Sequence, residues 1–343
     1  MSMASFWHRL PRPISVLAPM EDVTDVVFRD VVDRAGRPQV FVSEFVATRA
    51  MKSRQREALR RLEYKENHRP MVAQIWGTDP QYYYDAAIEL HRRGFDGIDI
   101  NMGCPQKKIT SKGPCSALYL NPPLAAELIA AAREGAEQAY ARFGDQHEGP
   151  PGRLQSGGAL PVSVKTRIGF SAVQTEDWCG FLLQQELPLL TVHGRTAAQQ
   201  SEGEADWDEI ARVVALRDRI SPDTLIFGNG DVVHPDQLTE YPRRYGVDGV
   251  MVGRGIFSNP FIFAGGEFHD LPARDQVRWA SQHLQAYRKA YEGRRNFEVM
   301  KKFFKIYIMH FEGADNLRDS LMQTHDYDAA LELLTGWQPP VVE

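Results

Sequence analysis

Two of the chain's three cysteines fall in one short run, Asn101 to Leu118, "NMGCPQKKITSKGPCSAL". Cys104 sits in a tight Gly-Cys-Pro turn at the end of an apolar segment. An ordinary thiol titrates near pH ~8.5 and is mostly protonated at neutral pH. Cys104 therefore reads as a proton donor rather than a nucleophile, with Lys107 and Lys108 able to lower its pKa. Ten residues separate it from Cys115 with no second pair, and no cysteine or histidine spacing matches zinc. The run is therefore not read as a metal knuckle, and a redox pair, a buried inert cysteine, and one working thiol beside a structural one stay open at this point. Lys165 and His193 end two later apolar segments, where they suit stabilisation of negative charge developing on a ligand. The segments "FGNGD" (227–231) and "VGRGIFSNP" (252–260) suit an anion. Gly230, Gly253 and Gly255 let backbone N–H groups approach a phosphate, and Arg254 supplies forked donors. No Ser-His-Asp arrangement is apparent.

Such groups need a scaffold, and eight short β-rich segments supply one: 14–19, 39–46, 70–77, 95–103, 160–169, 189–195, 224–230 and 246–255. Most are continuous apolar runs, as in parallel strands buried on both faces. Helical stretches such as "DPQYYYDAAIELHRRG" and "NPPLAAELIAAAREGAEQAYARFG" separate them. The alternation predicts an α/β fold, a (β/α)8 TIM barrel. A doubly wound sheet is the competitor, but no G-x-G-x-x-G follows the first segment. Pro19, Met20, Gln74, Asn101, Lys165, Arg167, His193, Asn229 and Arg254 all fall at the C-terminal ends of the segments. In a barrel that end carries the chemistry, so the Cys104 sulfur is expected at the barrel mouth.

The segment 144–160 reads as a surface loop, and the break at 264–272 ends the barrel region. We expect a barrel domain over 1–267 and a small all-helical domain over 268–343. In the latter, Val277, Ala280, Leu284, Tyr287 and Tyr291 make one apolar stripe; Met300, Phe303, Phe304, Tyr307, Ile308 and Phe311 make another. The same stretch carries Arg288, Lys289, Arg294, Arg295, Lys301, Lys302 and Lys305, interleaved with Tyr287, Tyr291 and Phe297. That interleaving is compatible with RNA contact. The basic run 52–69 reads as a solvated surface.

The composition, 43% hydrophobic and 25% charged over 343 residues, is that of a globular protein. Its formal charge of −5 argues against a surface that grips nucleic acid everywhere, though not against local basic patches. An odd number of cysteines argues against a disulfide framework. The longest apolar runs are too short to span a bilayer, and the N-terminus lacks a secretory core, so a cytoplasmic address is expected.

Several motifs together resemble the tRNA-dihydrouridine synthase family: "APMEDVTDVVFR" (18–29), "NMGCPQKKI" (101–109), "VKTRIG" (164–169), "HGRTAAQQSEGEADW" (193–207), "NGD" (229–231) and "GRG" (253–255). The likeness covers nearly all of 14–260, in the family's order, and the helical tail is similar in kind. The resemblance implies an enzyme in which NADPH reduces bound FMN, and the flavin passes hydride from N5 to C6 of a uridine in tRNA. It implies that Cys104 donates a proton to C5, in agreement with its independent reading as an acid. It further implies that Pro19, Met20, Glu21 and Gln74 hold the flavin ring, with Lys165 and His193 at its pyrimidine end. Asn229, Gly230, Asp231, Gly253 and Arg254 match phosphate and ribityl contacts, while Asn101 and Arg167 match positions facing the substrate base. The target nucleotide has to turn outward into the mouth, and the helical domain and basic surfaces would hold tRNA by shape and phosphate contacts. A monomer is the simplest expectation. The rival readings are a flavin barrel acting on a free pyrimidine and a non-catalytic RNA-binding barrel. Three departures stand out: Gly113-Pro114-Cys115-Ser116 where small residues are usual, Ala197 and Ser201 where arginine and tyrosine are common, and Asp22 for a frequent glycine.

Overall fold

Eight short parallel strands alternate with helices in a computed structural model that describes residues 5–111 and 113–339. The strands are β1 (Ile14–Leu17), β2 (Val40–Val42), β3 (Met71–Trp76), β4 (Gly97–Asn101), β5 (Val162–Arg167), β6 (Leu189–His193), β7 (Leu225–Asn229) and β8 (Gly249–Val252). Val46–Ala47 adds a short extension that pairs with the end of β3. Each strand pairs in parallel with the next, and β8 pairs with β1 from Ile14↔Gly249 to Leu17↔Val252. The sheet therefore closes into the (β/α)8 barrel expected from the sequence, with further helices after it. Every expected strand segment contains one strand, trimmed at its ends: 97–101 in place of 95–103, for example.

The register decides which side chains share the interior. Side chains alternate across a strand, so Asp99 and Asn101 on β4 share a face, as do Ser163, Lys165 and Arg167 on β5. Pairing sets Gln74 beside Asp99, Asp99 beside Ser163, Asn101 beside Lys165, Arg167 beside His193, and His193 beside Asn229. The polar residues thus rise in steps toward the C-terminal rim. The opposite end is closed by apolar packing. Phe6 and Trp7, on the one-turn helix Phe6–Arg9, are buried against Ile14, Val40, Leu189, Leu225 and Phe227, residues at or near the strand starts. The Trp7 and Phe227 rings meet edge to face with centroids 5.6 Å apart. This plug was not anticipated, because "FW" in a short N-terminal run carries no periodicity.

The helical connections start where the sequence marks them. The Asp79 carboxylate accepts from Gln81 N–H ahead of Pro80–Arg92, and Asn121 accepts from Leu124 N–H ahead of Pro122–Phe143. Each cap satisfies an end donor, and each helix has proline in its first turn, where no N–H is needed. The two helices pack so closely that a Cβ on Gly135 would lie 2.4 Å from the Tyr84 carbonyl oxygen.

The residues divide into two compact units. One comprises the chain up to Val26 with Pro38–Val232 and Asp236–Gly253; the other comprises Val27–Arg37, Val233–Pro235 and the chain from Arg254 onward. In the second, Phe28 stacks near Phe303 with centroids 5.1 Å apart, and Tyr307 hydroxyl and His283 Nδ1 lie 3.0 Å apart. Burial pushes the His283 pKa down to about 3. Both apolar stripes expected for the tail are buried there except Phe311, which is half-buried. Tyr287, Tyr291 and Phe297 belong to that core, at 0%, 2% and 5% exposure. They are therefore not free to stack on RNA bases, which corrects the weight given to their interleaving with the basic residues. Arg288 pairs with Glu292 and Asp328, and Lys301 with Glu298. Lys289, Arg294 and Lys305 are exposed.

Removing the barrel plug should be costly. Trp7→Ala leaves a cavity against Phe227 and is expected to destabilise the protein by about 3–5 kcal/mol. The measurement is the unfolding midpoint by circular dichroism, and an unchanged midpoint would contradict the plug.

Candidate active site

Inside the barrel, the Asp99 carboxylate is buried and held by two donors. Gln74 Nε2 donates to Oδ2 at 2.7 Å, and Ser163 Oγ donates to Oδ1 at 2.7 Å. Burial raises the Asp99 pKa, opposed by these two hydrogen bonds and by the nearby Lys165 charge. Its bond to Asp99 orients the Gln74 amide, whose Oε1 accepts from Asn101 Nδ2 at 2.9 Å. Asn101 Oδ1 in turn accepts the backbone N–H groups of Gly103 at 3.1 Å and Cys104 at 2.9 Å. An asparagine ending the strand therefore folds the turn that carries the thiol, as short amide side chains commonly do.

Cys104 is half-buried at the barrel mouth, and its pKa is lowered to about 7. The largest cause is a hydrogen bond from the Cys115 thiol; burial and Glu21 oppose it, while a hydrogen bond from Gln106 N–H and the Arg167 charge add to it. Lys107 and Lys108, which the sequence places where they could lower this pKa, are not among the causes. Cys115 is fully buried, and burial pushes its own pKa well up, so it keeps its proton. Its backbone has φ of +58°, a left-handed conformation that non-glycine residues rarely adopt. Ser116 N–H donates back to the Cys104 carbonyl at 3.4 Å, closing the loop.

Lys165 is partly exposed beside Asn101, and its side chain forms no hydrogen bond or ion pair with any described residue. Burial and the Arg167 charge lower its pKa to about 8, partly offset by Asp99 and Cys104. The Arg167 guanidinium donates to the Gly103 carbonyl at 2.7 Å, Thr196 at 3.0 Å and Gln200 at 2.8 Å. It ties the Cys104 turn to the loop after β6. Tyr119 hydroxyl donates to the Arg167 carbonyl.

A second arginine braces the next loop. Arg195 donates to both Asp231 carboxylate oxygens at 2.8 and 2.7 Å and to the Gly203 carbonyl, and its Nη1 lies 3.3 Å from His193 Nε2. Ala205 N–H also donates to Asp231 at 2.7 Å, and Asn229 Nδ2 donates to the Met251 carbonyl at 2.8 Å. The Asp231 carboxylate thus supports the loop at β7. Gly230 has φ of +123°, and a Cβ there would lie 2.6 Å from Ala205 Cβ. At Gly253, by contrast, a Cβ would meet nothing nearer than Ala18 Cβ at 3.9 Å, an open cradle. Arg254 is exposed, just ahead of the one-turn helix Gly255–Ser258.

After β1, Pro19, Met20 and Glu21 are partly exposed, with Thr24 Oγ1 donating to the Met20 carbonyl at 3.1 Å. Glu21 pairs with Arg61 at 2.9 Å. Arg60 pairs with the buried Glu44, which also accepts from Asp22 N–H at 2.8 Å. Asp22 has φ of +56°, which explains why glycine also suits the position. Lys52, Arg60, Arg61 and Arg69 of the basic run 52–69 all have carboxylate partners, whereas Arg54 and Arg56 are exposed.

The structure brings Gln74, Asn101, Cys104, Lys165, Arg167, His193 and Asn229 together on successive strand ends. Sequence reasoning missed Asp99, Ser163, Arg195 and the contact between the cysteines. Asp99 carried a signal: a carboxylate two residues before Asn101 in an otherwise apolar strand has to point inward. Among the described residues, no group of three or more His, Cys, Asp or Glu could hold a metal, and no helix is long and apolar enough to cross a membrane.

The family model described as "Dihydrouridine synthase (Dus)" matches residues 16–338. The chain is 39% identical over 345 residues to a probable tRNA-dihydrouridine synthase of Staphylococcus aureus (strain COL), covering 99% of this chain and 97% of that one. It is 39% identical over 340 residues to probable tRNA-dihydrouridine synthase 2 of Bacillus subtilis (strain 168), covering 97% of each. Among solved structures, histamine dehydrogenase from Rhizobium sp. 4-9 matches with a TM-score of 0.51 at 10% identity, covering 79% of this chain and 48% of that one. A 2-naphthoyl-CoA reductase complex matches with a TM-score of 0.52 at 10% identity, covering 73% and 49%. The chain spans about half the length of these two, and the likeness is one of fold.

The thiol contact predicts a measurable titration. The rate of Cys104 alkylation by iodoacetamide should rise with pH to a midpoint of about 7. In Cys115→Ala that midpoint moves up toward the ordinary ~8.5. Equal midpoints in the two proteins would remove the hydrogen bond as the cause.

Proposed function

The chain belongs to the dihydrouridine synthase family, and from that premise we propose that it reduces the C5=C6 bond of a uridine in tRNA, using FMN and NADPH. The observation that carries this reading is that the barrel mouth holds both a half-buried thiol, Cys104, and an ammonium without a side-chain partner among the described residues, Lys165.

The residues fit a flavin phosphate ester. Lys165 has donors to spare and a positive charge for the anionic pyrimidine end. Gln74 and Asn101 each keep one amide hydrogen beyond the bond that orients them. The open surface at Gly253 lets a phosphate approach backbone N–H groups, and Arg254 follows it in sequence. Pro19, Met20 and Glu21 would flank the ring, with His193, Asn229, Gly230 and Asp231 toward the ribityl and phosphate. FMN, when bound, supplies a hydride from N5 to uracil C6 and is reduced in turn by NADPH.

Cys104 supplies the proton at C5. A donor works best with a pKa near the operating pH, and a value of about 7 meets that condition. Asn101 aims the sulfur through the turn N–H groups, and Arg167 fixes the turn to the neighbouring loop. A uridine within folded tRNA reaches this mouth only when turned out of its stack. The helical tail over 268–343 would hold the tRNA through phosphate contacts at exposed cations such as Lys289, Arg294 and Lys305.

The test starts with absorbance: purified protein should carry a flavin band, and its absence would sink the reading. NADPH-driven dihydrouridine should then form on tRNA lacking the modification; activity on free uracil or orotate alone would favour a pyrimidine reductase. Cys104→Ala should keep the flavin and lose about 10²–10⁴-fold in turnover. Cys115→Ala should lose far less, and equal losses would refute Cys104 as the single donor. The proton is present below the thiol pKa, so turnover should fall as pH rises through about 7.

A further inference from the structure

Cys104 and Cys115 sit on either side of one loop that the structure folds back on itself. Ser116 N–H donates to the Cys104 carbonyl at 3.4 Å, which holds the two backbones together, and each thiol is among the groups that shift the other's pKa. Exposure is unequal. Cys104 is half-buried at the mouth, whereas Cys115 is fully buried. The third cysteine, Cys179, is buried on the helix Thr175–Leu183 beside Glu209. The chain thus holds a half-buried thiol, a second, buried thiol brought beside it by the fold of the same loop, and a third on another helix as an internal reference.

We propose that Cys104 and Cys115 form an intramolecular disulfide when the protein meets a hydroperoxide, with Cys115 as the resolving cysteine. In the first step the Cys104 thiolate attacks one peroxide oxygen. The S–O bond forms, the O–O bond breaks, and the departing hydroxide leaves as water after taking a proton from solvent. Cys104 is oxidised by two electrons to the sulfenic acid, and the peroxide is reduced. In the second step the Cys115 sulfur attacks the Cys104 sulfur. The S–S bond forms, the S–O bond breaks, and the leaving hydroxide takes the Cys115 proton to depart as water. A dithiol reverses the bond by exchange, restoring both thiols and oxidising itself. The buried partner keeps Cys104 off the irreversible branch to sulfinic acid, which a lone accessible thiol would follow. That the disulfide also stops turnover rests on Cys104 being the proton donor; the bond itself rests only on the two sulfurs.

The experiment treats the full-length protein with hydrogen peroxide, then alkylates it after denaturation and maps the peptides by mass spectrometry. The expected result is a loss of about 2 Da, Cys104 and Cys115 joined in one cross-linked species, Cys179 alkylated, and all three thiols recovered with dithiothreitol. Cys115→Ser and Cys115→Ala should instead gain about 32 Da at Cys104, unrecovered by dithiothreitol. A wild-type protein that gains the same mass at Cys104 while Cys115 stays free to alkylate would overturn the proposal, and this arm needs no variant to fold. Disulfide formation without loss of turnover would leave the bond standing and refute the proton-donor reading instead.

Discussion

The buried carboxylate of Asp99 is the constraint on which the catalytic end of the barrel depends. A charge inside a barrel is tolerated only when hydrogen bonds replace the water it loses, and here Gln74 and Ser163 do so. Meeting that demand has a directional consequence. Gln74 cannot donate to Asp99 without turning its carbonyl oxygen toward Asn101, and Asn101 cannot donate to that oxygen without turning its own toward the Cys104 turn. One buried carboxylate thereby orients two side chains on two adjacent strands and ends at the turn that carries the thiol. Asp99 also lies near Lys165 and partly offsets the burial and the Arg167 charge that lower the Lys165 pKa.

Around this chain, two arginines act as braces rather than as free cations. Arg167 spends its donors on the carbonyls of Gly103, Thr196 and Gln200, and Arg195 on Gly203 and Asp231. A planar guanidinium with donors in fixed directions suits the joining of loops whose carbonyls have no strand partner. Glu21 and Arg61 add an ion pair on the side of β1. Among the cations on the interior strand ends, Lys165 is the one whose side chain has no partner among the described residues, while Arg167 holds the frame.

The cysteine pair gives the mouth its second character. A thiol hydrogen bond that draws the Cys104 pKa to about 7 makes it a better acid near neutrality and also a better target for oxidants. Both properties come from one contact with Cys115, a residue held in a left-handed backbone conformation inside the loop. Pro114 precedes it and fixes the entry to that turn.

The sequence alone determined the closed barrel, because eight continuous apolar runs separated by amphipathic helices have few other ways to bury both faces. It also placed Asn101, Cys104, Lys165, Arg167, His193 and Asn229 at strand ends, since position along a strand is a local property. Local pattern also identified the tail stripes as core, though not that Tyr287, Tyr291 and Phe297 are shared between stripe and basic face and are lost to solvent. Only the tertiary structure decided that Arg167 and Arg195 face backbone carbonyls, that Asp231 supports a loop, and that Phe6 and Trp7 close the barrel floor. It alone brought Cys115 back beside Cys104. Those outcomes depend on strand register and on loops meeting across the rim, and contacts between residues distant in sequence leave no periodic trace in the chain.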